Sequence, residues 1–117
     1  MEIEYEKLTH FLVVKITGKW TDSNSVNAIE DIKKEAEKTN SKKILMNLLG
    51  LEHPETNVIR HNSGKKIAEN LSSYKIAGFS QPEKINYLAE ITANNRGANL
   101  KMFESGHEAS EWLIKED

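Results

Sequence analysis

The run Ile44-Leu45-Met46-Asn47-Leu48-Leu49 is the segment that most restricts what this chain can fold into. Successive side chains of a strand point to opposite faces, so a strand wetted on one side alternates in polarity. This run does not alternate. It is apolar on both faces except at Asn47, as is a central strand of an α/β sheet covered on both sides. Asn47 itself reads as a satisfied amide near the sheet end.

The flanking pattern extends that reading. Glu2 to Lys7 alternates through Ile3 and Tyr5, and Phe11 to Thr17 is apolar and β-branched, with Leu8-Thr9-His10 as the only break. The two runs predict an antiparallel hairpin. Gly18 and the cluster Asp22-Ser23-Asn24-Ser25 end the second strand and offer N-caps to a helix carrying Val26, Ile29, Ile32 and Ala36 on one stripe, which stops near Asn40. After the central strand, a helix from about Thr56 to Leu71 places Ile59, Ser63, Ile67 and Leu71 at intervals of four. Tyr74 to Phe79 reads as a strand. Ser80-Gln81-Pro82-Glu83 reads as a capping box opening a helix that carries Ile85, Leu88 and Ile91, with Gly97 as its C′ residue. Leu100 to Phe103 is the last strand, and Ser105-Gly106-His107-Glu108 a second capping box before a helix built on Ala109, Trp112 and Leu113.

The predicted order is ββαβαβαβα: a single α/β domain over 1–117, with a mixed, mostly parallel five-stranded sheet and four helices. Right-handed crossovers make the second to fifth predicted strands mutually parallel. At 117 residues the chain has the length of one domain, and its 25 Ile, Leu and Val residues supply an aliphatic core. No apolar run reaches a membrane-spanning length, and the start of the chain has no apolar signal core, so a cytoplasmic protein without a transmembrane segment is expected. A formal charge of −2 argues against a nucleic-acid partner held by bulk charge. With no cysteine, thiolate chemistry and disulfides are excluded.

Parallel strands gather their carboxyl ends at one edge, where open α/β sheets bind ligands. That edge collects Trp20, His53, Glu55, Thr56 and His107, with Arg60 and His61 in the helix that follows; His10 falls at the opposite edge. Three histidines and a glutamate invite a metal or acid–base reading. No HxH, HxxxH or HExxH spacing supports it, no catalytic residue, cofactor or metal site is expected, and the chain reads as a non-enzyme. Ser63-Gly64-Lys65 lies within a helix and lacks the upstream glycine of a phosphate loop, so its small residues read as close helix packing. Arg60 and Arg96 are the only arginines. Arg60 faces the rim, where a planar bidentate donor or a plain surface cation explains it equally, whereas Arg96 offsets a helix C-terminus.

The run Val14-Lys15-Ile16-Thr17-Gly18-Lys19-Trp20 before a helix, then Ile44-Leu45-Met46-Asn47-Leu48 followed by Leu51 and a short loop into a helix, resembles the STAS domain of bacterial anti-anti-sigma factors. Asn95-Arg96-Gly97, Met102-Phe103 and Ala109-Ser110-Glu111-Trp112-Leu113 are similar to the offshoot termed SpoIIAA-like or STAS/SEC14. The resemblance covers nearly the whole chain. It implies a phosphoacceptor where the central strand's loop enters the next helix, which in this sequence is Thr56. The family's Asp-Ser-Ser-Gly has become Glu55-Thr56-Asn57-Val58, and a plain N-cap at Thr56 explains the same residues.

Two functions follow. The first is a non-catalytic regulatory module that presents the rim around residues 50–61 to a protein partner or to a second copy of itself. The second, which the STAS/SEC14 likeness implies, is a carrier of a nonpolar, lipid-like ligand or a membrane-surface binder, with Ser63, Gly64, Ile67 and Phe79 as the candidate apolar pocket between the sheet and the second and third helices.

Overall fold

A computed structural model of the chain describes residues 1–52, 54 and 56–115. Strands β1 (Glu2–Lys7) and β2 (Leu12–Lys19) form the expected antiparallel hairpin, with Tyr5 opposite Val14. Helix α1 (Asp22–Lys38) leads to β3 (Lys43–Asn47), and after β4 (Leu51–Glu52) comes α2 (Asn57–Leu71). Then follow β5 (Lys75–Phe79), α3 (Leu88–Asn95), β6 (Asn99–Phe103) and α4 (Gly106–Ile114). The main sheet runs β1-β2-β3-β5-β6, parallel from β2 onward. β3 lies in the middle, as its unbroken apolar run requires.

The strand order accounts for the layers. From β2 to β6 each new strand is added on the same side, so right-handed crossovers send α1, α2 and α3 to one face. There Leu12, Ile44, Ile76 and Leu100 sit side by side across the four parallel strands and pack with Ile29, Ile32, Ile67 and Leu71. The other face is covered by α4 alone, through Ala109 and Leu113 against Leu45 and Ala77. Lys75 fastens that helix: its ammonium donates to the carbonyls of Trp112 (2.7 Å) and Lys115 (2.9 Å) and lies 4.5 Å from the Trp112 ring centre. A cation at the carbonyl end of a helix is also favoured by the helix dipole.

The helix ends show why the chain turns where it does. Asn40 takes a left-handed φ of 55°, and the amides of Asn40 and Ser41 donate back to Glu37 and Ala36. Gly97 does the same at φ 98°, with the amides of Gly97 and Ala98 returning to Asn94 and Ala93. Both are Schellman ends. β6 is an edge strand, and α3 covers its outward backbone groups with side chains. Asn94 brackets Leu100, donating to its carbonyl at 2.8 Å and accepting from its amide at 2.9 Å, while Glu90 accepts from the Met102 amide at 2.7 Å.

Three local expectations are corrected. A sixth strand, β4, pairs with the end of β2 (Gly18 with Leu51, Lys19 with Glu52). A turn after β3, in which Asn47 Oδ1 accepts from the Leu49 amide at 3.1 Å and the Leu51 amide donates to the Leu48 carbonyl at 3.2 Å, interrupts the strand before the chain resumes beside β2 in the same direction. The N-cap of α1 is Thr21, in a reciprocal box with Asn24, rather than a residue of the Asp22–Ser25 cluster. Ser80-Gln81-Pro82-Glu83 is not a capping box: Ser80 is fully buried with its hydroxyl 3.5 Å from the Leu48 carbonyl, and Pro82–Lys84 forms one 3₁₀ turn. The helix proper begins only at Leu88, so it buries Thr92 and Ala93 and leaves Ile91 53% exposed. By contrast, Ser105 is the N-cap of α4, accepting from the Glu108 amide at 3.2 Å, which is the N-cap half of the expected box.

Candidate functional site

The carboxyl edge of the parallel strands holds an apolar pocket of about 100 Å³. Met46, Leu48, Leu51 and Met102 from the strands and their ends form its floor, Ser63 and Ile67 of α2 one wall, and Ala89 and Glu90 of α3 the other. It exists because α3 starts late. The stretch between Ser80 and Leu88 crosses the sheet edge as a turn and extended chain, and Ile85 and Asn86 close the side that a longer helix would fill.

Trp20 belongs to this pocket and not to the solvent-facing rim. It is 6% exposed, and its indole N–H donates to Ser63 Oγ at 2.8 Å. The Ser63 hydroxyl in turn donates to the Ile59 carbonyl one turn back at 2.8 Å. A buried hydroxyl must be partnered, and Ser63 is used twice. Of the four candidate pocket residues, Ser63 and Ile67 are in the lining, and Gly64 and Phe79 are not. A Cβ on Gly64 would fall 2.6 Å from the Ala89 carbonyl oxygen and 2.8 Å from Thr92 Cβ, so Gly64 is where α2 and α3 touch. Phe79 lies on the opposite face, against Gly106 and the α4 cluster.

The polar mouth centres on Asn57. Its Oδ1 accepts from Arg60 (3.4 Å) and from Asn86 Nδ2 (3.3 Å), both of which line the pocket. Thr56, just before, is the N-cap of α2: its side chain accepts from the Ile59 amide at 3.4 Å. His61 is turned toward α3, with Nδ1 3.2 Å from Thr92 Oγ1. His107 is on α4, across the sheet from α2, where it is 82% exposed and pairs with Glu111 at 2.7 Å. Arg60 and His61 are therefore drawn to the α2–α3 side and His107 is not. His53 and Glu55 lie outside the described residues. No group of three potential metal ligands occurs among the described residues.

Sequence reasoning had Asn57 and Val58 within the 50–61 rim but gave neither a contact there, and it missed Asn86, Glu90 and the exposure of Tyr87 and Ile91. Val58 is 67% exposed and Tyr87 46%. Each adjoins one member of the Asn57–Asn86 hydrogen bond, and Ile91 is one turn beyond Tyr87. The available signal was the spacing of Tyr87 and Ile91 on the side of α3 away from Thr92 and Ala93.

No family model matches the chain, and no curated protein does. Solved structures do. An anti-sigma factor antagonist from Mycobacterium paratuberculosis aligns over 97% of this chain and 94% of its own, with a TM-score of 0.68 at 9% identity. SpoIIAA, an anti-sigma factor antagonist in its unphosphorylated form, aligns over 99% and 100% (TM-score 0.61, 8% identity). An uncharacterized protein of the DUF3478 family from Shewanella loihica, with a SpoIIAA-like fold, aligns over 96% and 92% (TM-score 0.62, 18% identity). The chain has the SpoIIAA-like, STAS-type fold that its sequence resembles.

Proposed function

We propose that this protein is a non-catalytic regulatory module that binds a protein partner, or a second copy of itself, at the rim around residues 50–61 and the adjoining start of α3. The observation that carries this reading is the exposure of Val58, Tyr87 and Ile91 around the Asn57–Asn86 bond, beside the capped start of α2. Exposed apolar side chains next to polar donors are the anatomy of an interface core and its rim. Two of the similar structures are anti-sigma factor antagonists, whose description is one of action on another protein. The rim of this chain has no arrangement of nucleophile, base and orienting group among its described residues to suggest chemistry instead.

The test is site-specific photo-crosslinking in cells. A photoreactive residue at Val58 should trap one defined protein, or the chain itself, and the same residue at Glu6 on β1 should not. Val58→Asp, shown to be folded by circular dichroism, should abolish an interaction detected at Tyr87. Identical products from positions 58 and 6 would defeat the reading.

A second reading, a small carrier of a nonpolar, lipid-like ligand, is favoured by the pocket itself. No helix of the described residues is long and apolar enough to cross a membrane.

A further inference from the structure

The pocket has features that narrow what could fill it. Its volume, about 100 Å³, is smaller than the roughly 150 Å³ apolar cavity known to take one benzene. That scale suits a single short alkyl chain rather than a diacyl lipid. The mouth offers donors in excess. Arg60 spends one of its N–H groups on Asn57, and Asn86 donates one to the same oxygen. Asn86 Oδ1 already accepts from the Leu88 amide at 2.9 Å, so what Asn86 has left for a ligand is the second N–H of the same Nδ2. Among the described lining residues the one carboxylate, Glu90, accepts from the Met102 backbone amide at 2.7 Å and is thereby held to the edge of β6. A planar guanidinium beside a primary amide is suited to a carboxylate, which accepts two parallel hydrogen bonds.

We propose that this pocket binds a small amphipathic monocarboxylate, its short apolar tail against Met46, Ile67 and Trp20 and its carboxylate on Arg60 and Asn86. The proposal rests on the carrier reading and names its ligand class. It replaces a lipid-like ligand with one of a few carbons and a single negative charge. Seated at the mouth, such a ligand would pull Arg60 and Asn86 away from Asn57 and so act directly on the rim.

Hexanoate, 1-hexanol and hexylamine are the probes, titrated into ¹⁵N-labelled protein. The indole cross-peak of Trp20, distinguished from that of Trp112 by the Trp112→Phe variant, reports on the pocket wall. Hexanoate is expected to shift the Trp20 peak saturably while the Trp112 peak stays in place. Hexanol should bind about tenfold more weakly, as expected for loss of a charge-assisted hydrogen bond. Arg60→Gln, with a dispersed amide spectrum as proof of folding, should bring hexanoate down to the level of hexanol and leave hexanol unchanged. Equal affinity for hexanol, or tighter binding of hexylamine, would overturn the carboxylate assignment and leave the carrier reading standing. Absence of a Trp20 shift with all three probes, or equal shifts at Trp112, would overturn both.

Discussion

Trp20 and Ser63, 43 residues apart, are joined by a buried hydrogen bond of 2.8 Å that ties the end of β2 to the second turn of α2. Removing the acceptor strands the donor. Ser63→Ala leaves the indole N–H buried beside an apolar pocket, at a cost of about 1–3 kcal/mol. Trp20→Phe removes the donor, while Ser63 keeps the Ile59 carbonyl. Urea unfolding of the two single variants and the double should therefore give a favourable coupling, with the double less destabilised than the sum.

Gly64 sets the distance between α2 and α3. An alanine in a helix interior is ordinarily better than glycine by roughly 1 kcal/mol, so Gly64→Ala tests whether the contact outweighs that preference. The nearest atom, the Ala89 carbonyl oxygen, is backbone and cannot swing aside. A net destabilisation of about 1–3 kcal/mol is expected, as for other overpacked sites. Gly97→Ala provides the contrast: nothing lies within 4 Å of its added Cβ, so its cost is that of the left-handed backbone alone.

Most of the fold was legible before the structure. The unbroken apolar run at Ile44–Leu49 required a covered central strand, and alternation in Glu2–Lys7 required a half-wetted hairpin arm. The misreadings share a cause. Ser80-Gln81-Pro82-Glu83 has the composition of a capping box, yet Ser80 is drawn into the core beneath Leu48, and a local motif cannot reveal that competition. Trp20 was placed on the rim by its position after a strand, whereas its partner Ser63 lies in a helix far along the chain. Pocket membership was half legible for the same reason. Ser63 and Ile67 share a face with the right spacing, but only the register of α2 against α3 turns Gly64 away, while Phe79, three residues after Ile76 on β5, falls on the other face by the alternation of the strand.

Tyr5 carries the one buried side-chain polar atom without a hydrogen-bond partner among the described residues. Burial, then the charges of Asp31 and Glu35, push its hydroxyl up to about 12. In the unfolded chain it titrates near pH 10. Between these values the unfolded state loses a proton that the folded state keeps, so stability falls as pH rises through that window. Tyr5→Phe should flatten the decline in melting temperature between about pH 10 and 12. Tyr74, raised by burial and by Glu37, contributes equally to both proteins. At neutral pH the same variant should be as stable as the wild type or more so, because it removes an unsatisfied group.

Thr56 separates a cap from a switch. As the N-cap of an exposed helix end, with a long 3.4 Å bond, it should cost about 0.5–1 kcal/mol on Thr56→Ala, at the low end for such residues. Thr56→Asp restores an acceptor and adds a charge favoured by the helix dipole, so it should recover the melting temperature. A cap-only role predicts that crosslinking from Val58 survives Thr56→Asp. Loss of the crosslink with stability intact would identify the residue as a site where added charge governs partner binding.

The side chains of α3 that cover β6 bear on how this chain could pair with itself. Strand addition needs an open row of backbone donors and acceptors, and on β6 Asn94 and Glu90 already occupy those of Leu100 and Met102. The other border of the sheet is β1, whose exposed Glu2, Glu4 and Glu6 would bring like charges together in a two-fold pairing of copies. A dimer built by continuing the sheet is disfavoured at both borders. If copies do associate, the contact falls to helices, and the dimer would come apart on substitution of Tyr87 or Ile91 while leaving every strand pairing in place.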